Sequence, residues 1–374
     1  MSEFRVPLTT IKEVFPHPNA TALEFVKCYD FNVIVTKDKY KVGDQVIYVP
    51  IDSVLPQSLA DKLFPVGSKI RLNKNRIRQI KIRGEYSQGM IIDLEDIVIE
   101  QGIFYGMLEQ DFSTVLGITK YEPGPAPFES VPGKKRQKPK ENPLFHQYNG
   151  VENIKWYPDL FAEGEEVVIQ EKLHGSNCRA SILPYSANTP WKKFKKWLGF
   201  APEFEYCYGS NMVQLQERKN YKGWYGENVY GNVLKKVDAF NKIKPGETIY
   251  GELIGEGIQK NYSYGHKEHH FVLFDVKKLQ QDSTQLWLTP EEVRHFAKER
   301  GFDLVPVLYS GPFKKELTAE LIKQPSTYHP ETKVMEGVVI KSKDNYNDER
   351  MPSNKKALKL INEKYLDKDQ SDFH

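Results

Sequence analysis

The chain has 374 residues, with 53 Lys and Arg against 50 Asp and Glu. A chain of this length exceeds what one hydrophobic core usually supports, so we expect two domains. Because the charges nearly cancel, the chain as a whole is not steered toward nucleic acid, and any basic surface that binds it must be local.

Cysteine usage and the N-terminal sequence indicate a cytoplasmic protein. Cys28, Cys178 and Cys207 are odd in number and show no CxxC spacing, which argues against a disulfide framework or a structural zinc site. The first ten residues, MSEFRVPLTT, lack an apolar signal segment, and no stretch approaches the roughly 18 apolar residues of a membrane span. We therefore expect no membrane association, and we expect a monomer.

The first part of the chain is rich in β-strand patterns. Residues 24–50, EFVKCYDFNVIVTKDKYKVGDQVIYVP, alternate between apolar and polar side chains around two turn sequences and predict a small barrel. In residues 68–93 the period of two places several basic side chains on one solvated face. These are Arg71, Lys74, Arg76, Arg78, Lys81 and Arg83. Two interpretations stay open, namely charge that protects an edge strand and contact with nucleic acid.

Composition changes at residues 120–142, KYEPGPAPFESVPGKKRQKPKEN, which predict an extended basic linker. Beyond it, strand patterns mix with helical ones at residues 228–242 and in TPEEVRHFAKERG, where Thr289 is a predicted N-cap and Pro290 begins the first turn. The predicted organisation is a β-rich domain over 1–119, a linker over 120–142 and an α+β domain over 143–374.

A lysine lies at a predicted turn in VVIQEKLHGSNCRASIL, residues 167–183, which reads as two strands. Lys172 is nucleophilic only as the neutral amine, and its ordinary pKa of about 10.4 leaves that form scarce at neutral pH. Desolvation or nearby cations must lower the pKa for such a role. Taken alone, a lysine beside a turn is more often a solvated charge than a nucleophile.

Four later segments carry charged or aromatic side chains within apolar strands. They are TIYGELIGEGIQ with Glu252, HHFVLFDVK with Phe274 and Asp275, MEGVVIKSK with Glu336 and Lys341, and NKKALKLINEKYL with Lys355, Lys356 and Lys359. A carboxylate in an apolar strand carries a burial cost unless it is paired or bound to metal, which applies to Glu252 and Glu336.

This ordered set resembles the covalent nucleotidyltransferase superfamily of RNA ligases, DNA ligases and mRNA capping enzymes. The matching segments, in the family order, are EKLHGSN, YGELIG, FVLFDV, EGVVIK and KALKLIN. His174 and Asn177 in the first segment indicate RNA ligases, because the other branches usually have Asp where His174 stands. VFPHPNATALEFVKC and YKVGDQVIYVPIDSVLP resemble the N-terminal module of the RNA ligase clade called family 5. The implied fold is α+β, with an OB-fold β-barrel before a nucleotidyltransferase (ATP-grasp-like) domain.

The resemblance implies an ATP-dependent RNA ligase whose Lys172 attacks the α-phosphorus of ATP, forming lysyl-AMP. AMP then passes to an RNA 5′-phosphate, and a 3′-OH displaces it to seal the strand, with RNA ends or nicked RNA-containing duplexes as partners. Lys341 and Lys359 fit as α-phosphate ligands, and the same cations are expected to lower the pKa of Lys172. His174 is expected to orient the nucleophile or a metal-bound water.

The resemblance also implies the remaining site residues. Glu252 is expected to bind ribose hydroxyls or, through water, a metal, and Glu336 to hold hydrated Mg²⁺ or Mn²⁺. Phe274 is expected to stack on adenine, with a pure core role as the alternative. Glu171 and Asn177 complete the expected nucleotide-binding set.

Two segments depart from the family pattern. Many relatives carry a basic residue after the serine of motif Ia, where this chain has Ser210 and Asn211. Several ligases have K-x-K in motif V, whereas the lysines nearest Lys359 are Lys356 and Lys364. Two other functions stay open, a capping-type guanylyltransferase that uses GTP and a non-catalytic RNA-binding protein with an OB fold.

The segment TPWKKFKKWLGFAPEFEY predicts a helix with its aromatic side chains on one face and its lysines facing outward. One interpretation is a surface helix that docks through Trp191, Phe194 and Trp197. The other is a helix whose lysines contact an RNA backbone.

Overall fold

We describe a computed structural model of the chain over residues 3–68, 72–94, 107–121, 141–215, 227–329, 331–332 and 334–367. The chain forms two compact units. The N-terminal unit contains the described parts of Glu3–Gly124, Asn153–Leu160 and Glu363–His374, and the C-terminal unit those of Pro125–Glu152 and Phe161–Asn362. Most of the predicted linker, 120–142, lies outside the described residues, so the predicted domain boundaries stay predictions.

The N-terminal unit is built mainly from short antiparallel strands. Its elements are β1 (Leu8–Thr10), β2 (Glu13–Pro16), β3 (Leu23–Cys28), β4 (Phe31–Thr36), β5 (Gln45–Val49), β6 (Ser53–Val54), α1 (Gln57–Leu63), β7 (Ile80–Ile82), β8 (Glu85–Ser87), β9 (Met90–Asp93), α2 (Ser113–Leu116) and β10 (Thr119–Lys120). They pair as β1-β5-β9, β2-β3-β4, β7-β8 and β10-β6. The alternation of residues 24–50 thus becomes β3, β4 and β5, as predicted.

Part of this unit's core comes from a later stretch of the chain. The ring of Trp156 packs against Tyr29, Phe31 and Tyr48, at centroid distances of 4.8, 5.1 and 5.4 Å. Arg5 lies over the same ring at 4.6 Å. The aromatic core therefore depends on residues 153–160 as well as on the first 120 residues.

The predicted basic face holds only in part. Arg76 is buried, where its guanidinium bonds Asp52 at 2.6 Å and lies 3.7 Å over the ring of Tyr121. Arg76 is a structural residue, because its charge is paired with Asp52 inside the unit. Lys81 and Arg83 are exposed at the β7–β8 hairpin, and Arg71 lies outside the described residues.

The described part of the C-terminal unit contains two larger sheets and five α-helices. Its elements are β11 (Glu152–Asn153), β12 (Glu166–Lys172), β13 (Ser176–Pro184), α3 (Pro190–Trp197), β14 (Phe204–Ser210), β15 (Gln214–Leu215), α4 (Val229–Lys236), α5 (Ala239–Lys242), β16 (Glu247–Ile254), β17 (His270–Leu279), β18 (Gln285–Trp287), α6 (Pro290–Arg300), β19 (Val307–Pro312), α7 (Lys315–Leu321), β20 (Gly337–Ser342) and β21 (Ala357–Ile361). The last helix, α8 (Glu363–Leu366), belongs to the N-terminal unit. The sheet orders are β11-β21-β20-β12-β19 and β15-β14-β13-β16-β17-β18.

The two predicted helical regions are helices in the structure. Thr289 caps α6 in a capping box with Glu292, and Gly301 ends the helix at φ +65°. The region 228–242 is divided into α4 and α5, because Asp238 adopts a left-handed conformation at φ +55°. Among the described residues, no helix is both long and apolar enough to cross a membrane.

The six-stranded sheet is covered on both faces. On one face, α4 and α6 pack against alternate residues of β16 and β17 through a core that includes Val233, Phe296, Ile249 and Leu253. On the other, Tyr250 and Trp287 pack with Val339 and Ala357 of the five-stranded sheet. The two sheets of the C-terminal unit therefore face each other. Most of the predicted site residues that strands carry lie on the facing sides, and Glu171 is an exception.

Candidate active site

Lys172 ends β12, and a turn of Leu173, His174 and Gly175 leads into β13. A Cβ atom at Gly175 would lie 2.3 Å from the carbonyl oxygen of Leu253 and 2.8 Å from Cγ of Glu252. Only glycine allows this close approach. It brings the turn that follows the lysine directly against the β16 strand that carries Glu252.

Lys172 is paired with Glu336. Its Nζ donates to Oε1 of Glu336 at 2.6 Å, with the side chains 28% and 5% exposed. The second oxygen, Oε2, is buried and has no hydrogen-bond partner among the described residues, although Nδ1 of His174 lies 3.8 Å away. A buried carboxylate oxygen without a donor suits a hard cation, bound directly or through water.

The electrostatics around Lys172 differ from the prediction. Burial lowers the pKa of Lys172, but the Glu336 and Glu252 carboxylates more than offset it, so that the pKa lies above its ordinary value. Burial raises the pKa of Glu252 to about 8, with Lys172 acting against the rise and Glu336 adding to it. The expectation that neighbouring cations lower the pKa of Lys172 is therefore wrong for the protein without ligands.

Strand register explains why the cations are not beside the nucleophile. Lys172 lies opposite Gly337, and Val339 lies opposite Lys359. Residues directly opposite in antiparallel strands, and alternate residues along one strand, project to the same face. Lys172, Lys359 and Lys341 therefore share one face of the five-stranded sheet, with Lys341 four residues along β20 from the position opposite Lys172.

Lys341 is buried and anchored from β17. Its Nζ donates to the carbonyl of Phe274 at 2.7 Å and to Oδ1 of Asp275 at 2.8 Å, which uses two of its three N–H groups. Oδ2 of Asp275 also lies 3.4 Å from Nζ of Lys355. Burial acts to raise the pKa of Asp275, but Lys341 and Lys355 hold it below its ordinary value. A buried aspartate thus fixes the lysine that is expected to meet the α-phosphate.

Phe274 lies at a β-bulge. Tyr250 of β16 is paired with Asp275 and Gly251 with Leu273, so Phe274 is the extra residue of β17. Bulges re-aim a side chain relative to its strand neighbours. The ring is half-buried and packs edge-on against Tyr148 at 4.9 Å. Its adenine-stacking role stays a prediction.

Asn177 and Glu252 are directly opposite each other in β13 and β16. Both therefore project to the face of the six-stranded sheet that carries Tyr250. Oδ1 of Asn177 is buried and lacks a hydrogen-bond partner within the described part of the chain. This pair offers an unsatisfied acceptor beside a half-buried carboxyl group, which fits polar contact with a bound nucleotide.

Glu171 points to the opposite face of its sheet from Lys172. Its Oε2 accepts from the backbone N–H groups of Thr327 and Tyr328, at 2.9 and 3.1 Å, and from Oγ1 of Thr327 at 2.8 Å. The Glu171 side chain thus anchors the loop that contains Thr327 and Tyr328, and it does not lie on the face that carries the lysines. Its predicted role in nucleotide binding stays a prediction.

Two tyrosines at the site were missed by the sequence analysis. The backbone N–H of His174 donates to the hydroxyl of Tyr264 at 2.8 Å, and the ring of Tyr262 packs edge-on against the imidazole at 5.0 Å. His174 is buried by these contacts. The alternating aromatics of NYSYGH, after the YGELIG segment, were the available signal.

The residues at the two departures from the family pattern, Asn211 and Lys356, each have a partner in the structure. Oδ1 of Asn211 accepts from the backbone N–H of Tyr148, the residue whose ring contacts Phe274. Lys356 pairs with Glu165 at 2.7 Å. Lys356 is therefore not directed at the lysine face, and Lys364 lies on α8 in the other unit.

Comparison with known proteins agrees with this arrangement. A family model described as RNA ligase matches residues 165–361, and a model of an OB-fold domain matches residues 6–94. A search of curated proteins found no match.

Among solved structures, the chain is similar to an RNA ligase from Naegleria gruberi. Its structure with pyrophosphate has 21% identity and a TM-score of 0.74, covering 98% of this chain and 99% of that one. A variant with ATP and Mn has 21% identity and a TM-score of 0.74, covering 99% and 100%. A variant with AMP and Mn has 21% identity and a TM-score of 0.71, covering 96% and 97%. The chain has the same overall fold, an OB-fold domain and a nucleotidyltransferase domain, and it belongs to the RNA ligase family.

Proposed function

We propose that this RNA ligase uses ATP to join RNA 3′-OH and 5′-phosphate ends, at nicks in RNA-containing duplexes, through lysyl-AMP and RNA-adenylate intermediates. The observation that carries the proposal is the pairing of Lys172 with Glu336, with Lys341 and Lys359 on the same sheet face. The Naegleria enzyme, solved with ATP, AMP, Mn and pyrophosphate, supports the choice of ligands.

The donor set at Glu336 and Glu252 fits Mg²⁺ or Mn²⁺. Both residues supply carboxylate oxygens, the ligands that hard divalent ions prefer, and Oε2 of Glu336 is buried without a hydrogen bond within the described residues. A bound divalent ion would offset the negative charge that holds Lys172 protonated. The contact of His174 with Tyr262 and its distance of 3.8 Å from Oε2 of Glu336 support a role in orienting a water beside Glu336.

In the first step Lys172 loses a proton, and its Nζ forms a P–N bond to the α-phosphorus while the bond to pyrophosphate breaks. Charge grows on the α-phosphate oxygens, so Lys341 and Lys359 stabilise the transition state from the same sheet face. Phe274 offers a ring face to adenine, and Asn177 and Glu252 offer polar contacts to the nucleotide. AMP then moves to the 5′-phosphate, and the 3′-OH displaces it.

Nucleotide labelling tests the proposal. The protein is incubated separately with ATP and GTP, each radiolabelled at the α-phosphate, and the covalent adduct is measured on a denaturing gel. We expect a label from ATP, none from Lys172→Ala, and a normal label from the control Lys278→Ala, which changes a lysine of β17 outside the site. A label from GTP alone would identify a guanylyltransferase, and a label from neither nucleotide would favour a non-catalytic RNA-binding protein.

A further inference from the structure

The helix α3 exposes its aromatic side chains to solvent. Trp191, Phe194 and Trp197 are 62%, 46% and 79% exposed, and Leu198 and Phe200 after the helix are exposed as well. The three rings recur every third residue and so lie along one face. The interpretation that this helix docks through its aromatics is wrong for the described structure, because nothing there covers them.

The helix is held by its polar side. Thr189 caps it by accepting from the N–H of Lys192. Nζ of Lys192 pairs with Oε2 of Glu205 at 2.5 Å and lies 5.1 Å from the ring of Tyr185. This arrangement reverses the usual amphipathic helix, in which the apolar face packs inward. A contiguous exposed aromatic patch of this kind marks an interaction surface.

The rings form a ladder. The centroids of Trp191 and Phe194 are 5.8 Å apart with planes 27° from parallel, and those of Phe194 and Trp197 are 6.1 Å apart at 31°. Nζ of Lys195 lies 5.6 Å from the Trp191 ring. Exposed rings interleaved with cations are the chemistry that binds single-stranded nucleic acid, in which every base has a face to stack and every phosphate a charge to neutralise.

Charge complementarity indicates the same kind of partner. Residues 189–200 contain four lysines and no acidic residue, and only Lys192 among them is tied to Glu205. Lys193, Lys195 and Lys196 are exposed. An anionic membrane surface would also attract this charge. RNA is favoured because the chain belongs to a family of RNA ligases.

We propose that α3 is an RNA-binding element away from the lysine turn. Its ring ladder stacks on unpaired bases of a single-stranded stretch that flanks the nicked duplex, while Lys193, Lys195 and Lys196 contact the phosphates of that stretch. This inference rests on the proposed function for the identity of the substrate. The nine residues of β13 separate the lysine turn from the α3 end of that strand, a span of about 27 Å at the usual rise per residue. The element therefore contacts RNA several nucleotides from the ends being joined.

Two variants test the rings. In one, three aromatic residues are removed together, as Trp191→Ala, Phe194→Ala and Trp197→Ala. In the other, the rings are kept as Trp191→Phe and Trp197→Phe. Because the rings are exposed, both variants are expected to fold, which circular dichroism and thermal unfolding check. A third variant, with Lys193, Lys195 and Lys196 changed to Gln, tests the charges.

The readout is fluorescence anisotropy with a labelled single-stranded RNA and with a fully paired nicked duplex, without ATP. We expect the alanine variant to lose at least tenfold in affinity for the single strand and less than twofold for the duplex. The phenylalanine variant should bind the single strand nearly as wild type does, and the Gln variant should show a shallower salt dependence.

Self-labelling with ATP in the absence of RNA separates this proposal from the proposed function. All three variants should label at the wild-type rate, because α3 lies away from Lys172. A wild-type protein that takes no label refutes the proposed function, yet leaves the binding test to decide α3. Unchanged affinity of the alanine variant for single-stranded RNA, or an equal loss on the duplex, would overturn the proposal. The proposal would also be overturned if the alanine variant lost the binding to phosphatidylserine vesicles that the wild type shows, while its affinity for RNA stayed unchanged.

Discussion

Asp275 holds together the part of the C-terminal unit that carries Phe274 and Lys341. Its carboxylate is fully buried, pairs with Lys341 and Lys355, and accepts from the hydroxyls of Tyr148 and Tyr346 at 2.7 and 2.8 Å. The substitution Asp275→Asn keeps the size of the side chain and removes its charge. Lys341 is then left without the carboxylate that compensates its charge, and Lys355 loses the carboxylate that favours its charged form.

The expected loss depends on pH. Removing one partner of a buried ion pair costs about 3–5 kcal/mol of the free energy of unfolding, or a fall of about 6–20 °C in Tm for a domain of this size. Burial lowers the pKa of Lys355 to about 7, although the Asp275 carboxylate acts to raise it. Below this pH the wild-type Lys355 is charged, and without Asp275 its pKa falls further. Just below pH 7 the folded variant then binds fewer protons than the folded wild type. The loss in free energy of unfolding caused by Asp275→Asn therefore grows as the pH falls.

Thermal unfolding at pH 6 and pH 8 tests this reasoning. We expect the larger fall for Asp275→Asn at pH 6, and a shift near zero for the control Asp282→Asn, an exposed aspartate in the turn after β17. Adding Lys355→Met to Asp275→Asn should recover part of the loss, because it removes a buried amine that must otherwise either stay charged without a partner or give up its proton on folding. A loss below about 1 kcal/mol at both pH values, or a larger loss at pH 8, would refute the account.

Three further predictions concern single residues. Without ATP or metal, Lys172 should react with an amine acylating reagent more slowly than its ordinary pKa implies. Glu336→Gln should speed the reaction, because it removes a carboxylate that raises this pKa. Mass spectrometry of the Lys172 peptide over a pH series measures both rates. Because burial raises the pKa of Glu252 to about 8, Mn²⁺ affinity measured by calorimetry should rise from pH 7 to 9, and Glu252→Gln should remove that rise. Trp156→Ala should destabilise the N-terminal unit by about 3–5 kcal/mol, measured by denaturant unfolding. A free energy of unfolding close to that of the wild type would show that the three ring contacts of Trp156 are not part of a packed core.

The strands that carry the motifs could be predicted from sequence because their side chains alternate. EKLHGSN, EGVVIK and KALKLIN lie on or beside β12, β20 and β21, which are neighbours in one sheet. YGELIG and FVLFDV lie on β16 and β17, neighbours in the other. Period-two alternation then decides which residues share a face, so the grouping of Lys172, Lys341 and Lys359 follows once the register is known.

The bulge at Phe274 could not be predicted from alternation. A strict period of two across FVLFDV places Phe274 and Asp275 on opposite faces, and one inserted residue changes which side chain meets which neighbour. The sequence also contains no sign that Asp275 gathers Lys341 and Lys355. Partners from strands more than sixty residues apart are set by packing.

The sequence also did not predict which charges lie near Lys172 or whether the aromatic face of α3 is exposed. A list of lysines near a nucleophile says nothing of their distance, and the register places carboxylates nearer to Lys172 than cations. The spacing of Trp191, Phe194 and Trp197 predicts one apolar face correctly. Periodicity does not reveal whether anything covers that face, because the covering surface is elsewhere in the chain or in another molecule.

Each unit is built from separated stretches of sequence, and this affects how the N-terminal unit can be tested. Deleting the first 120 residues would remove the ring partners of Trp156 and leave residues 153–160 and α8 without their unit. Any loss of joining would then combine lost RNA contact with lost structure. Replacing exposed Lys81 and Arg83 with Gln preserves the core. If the N-terminal unit supports the early steps, this change will impair joining of 5′-phosphate ends more than joining of a pre-adenylylated nick, whereas equal losses would indicate general RNA affinity.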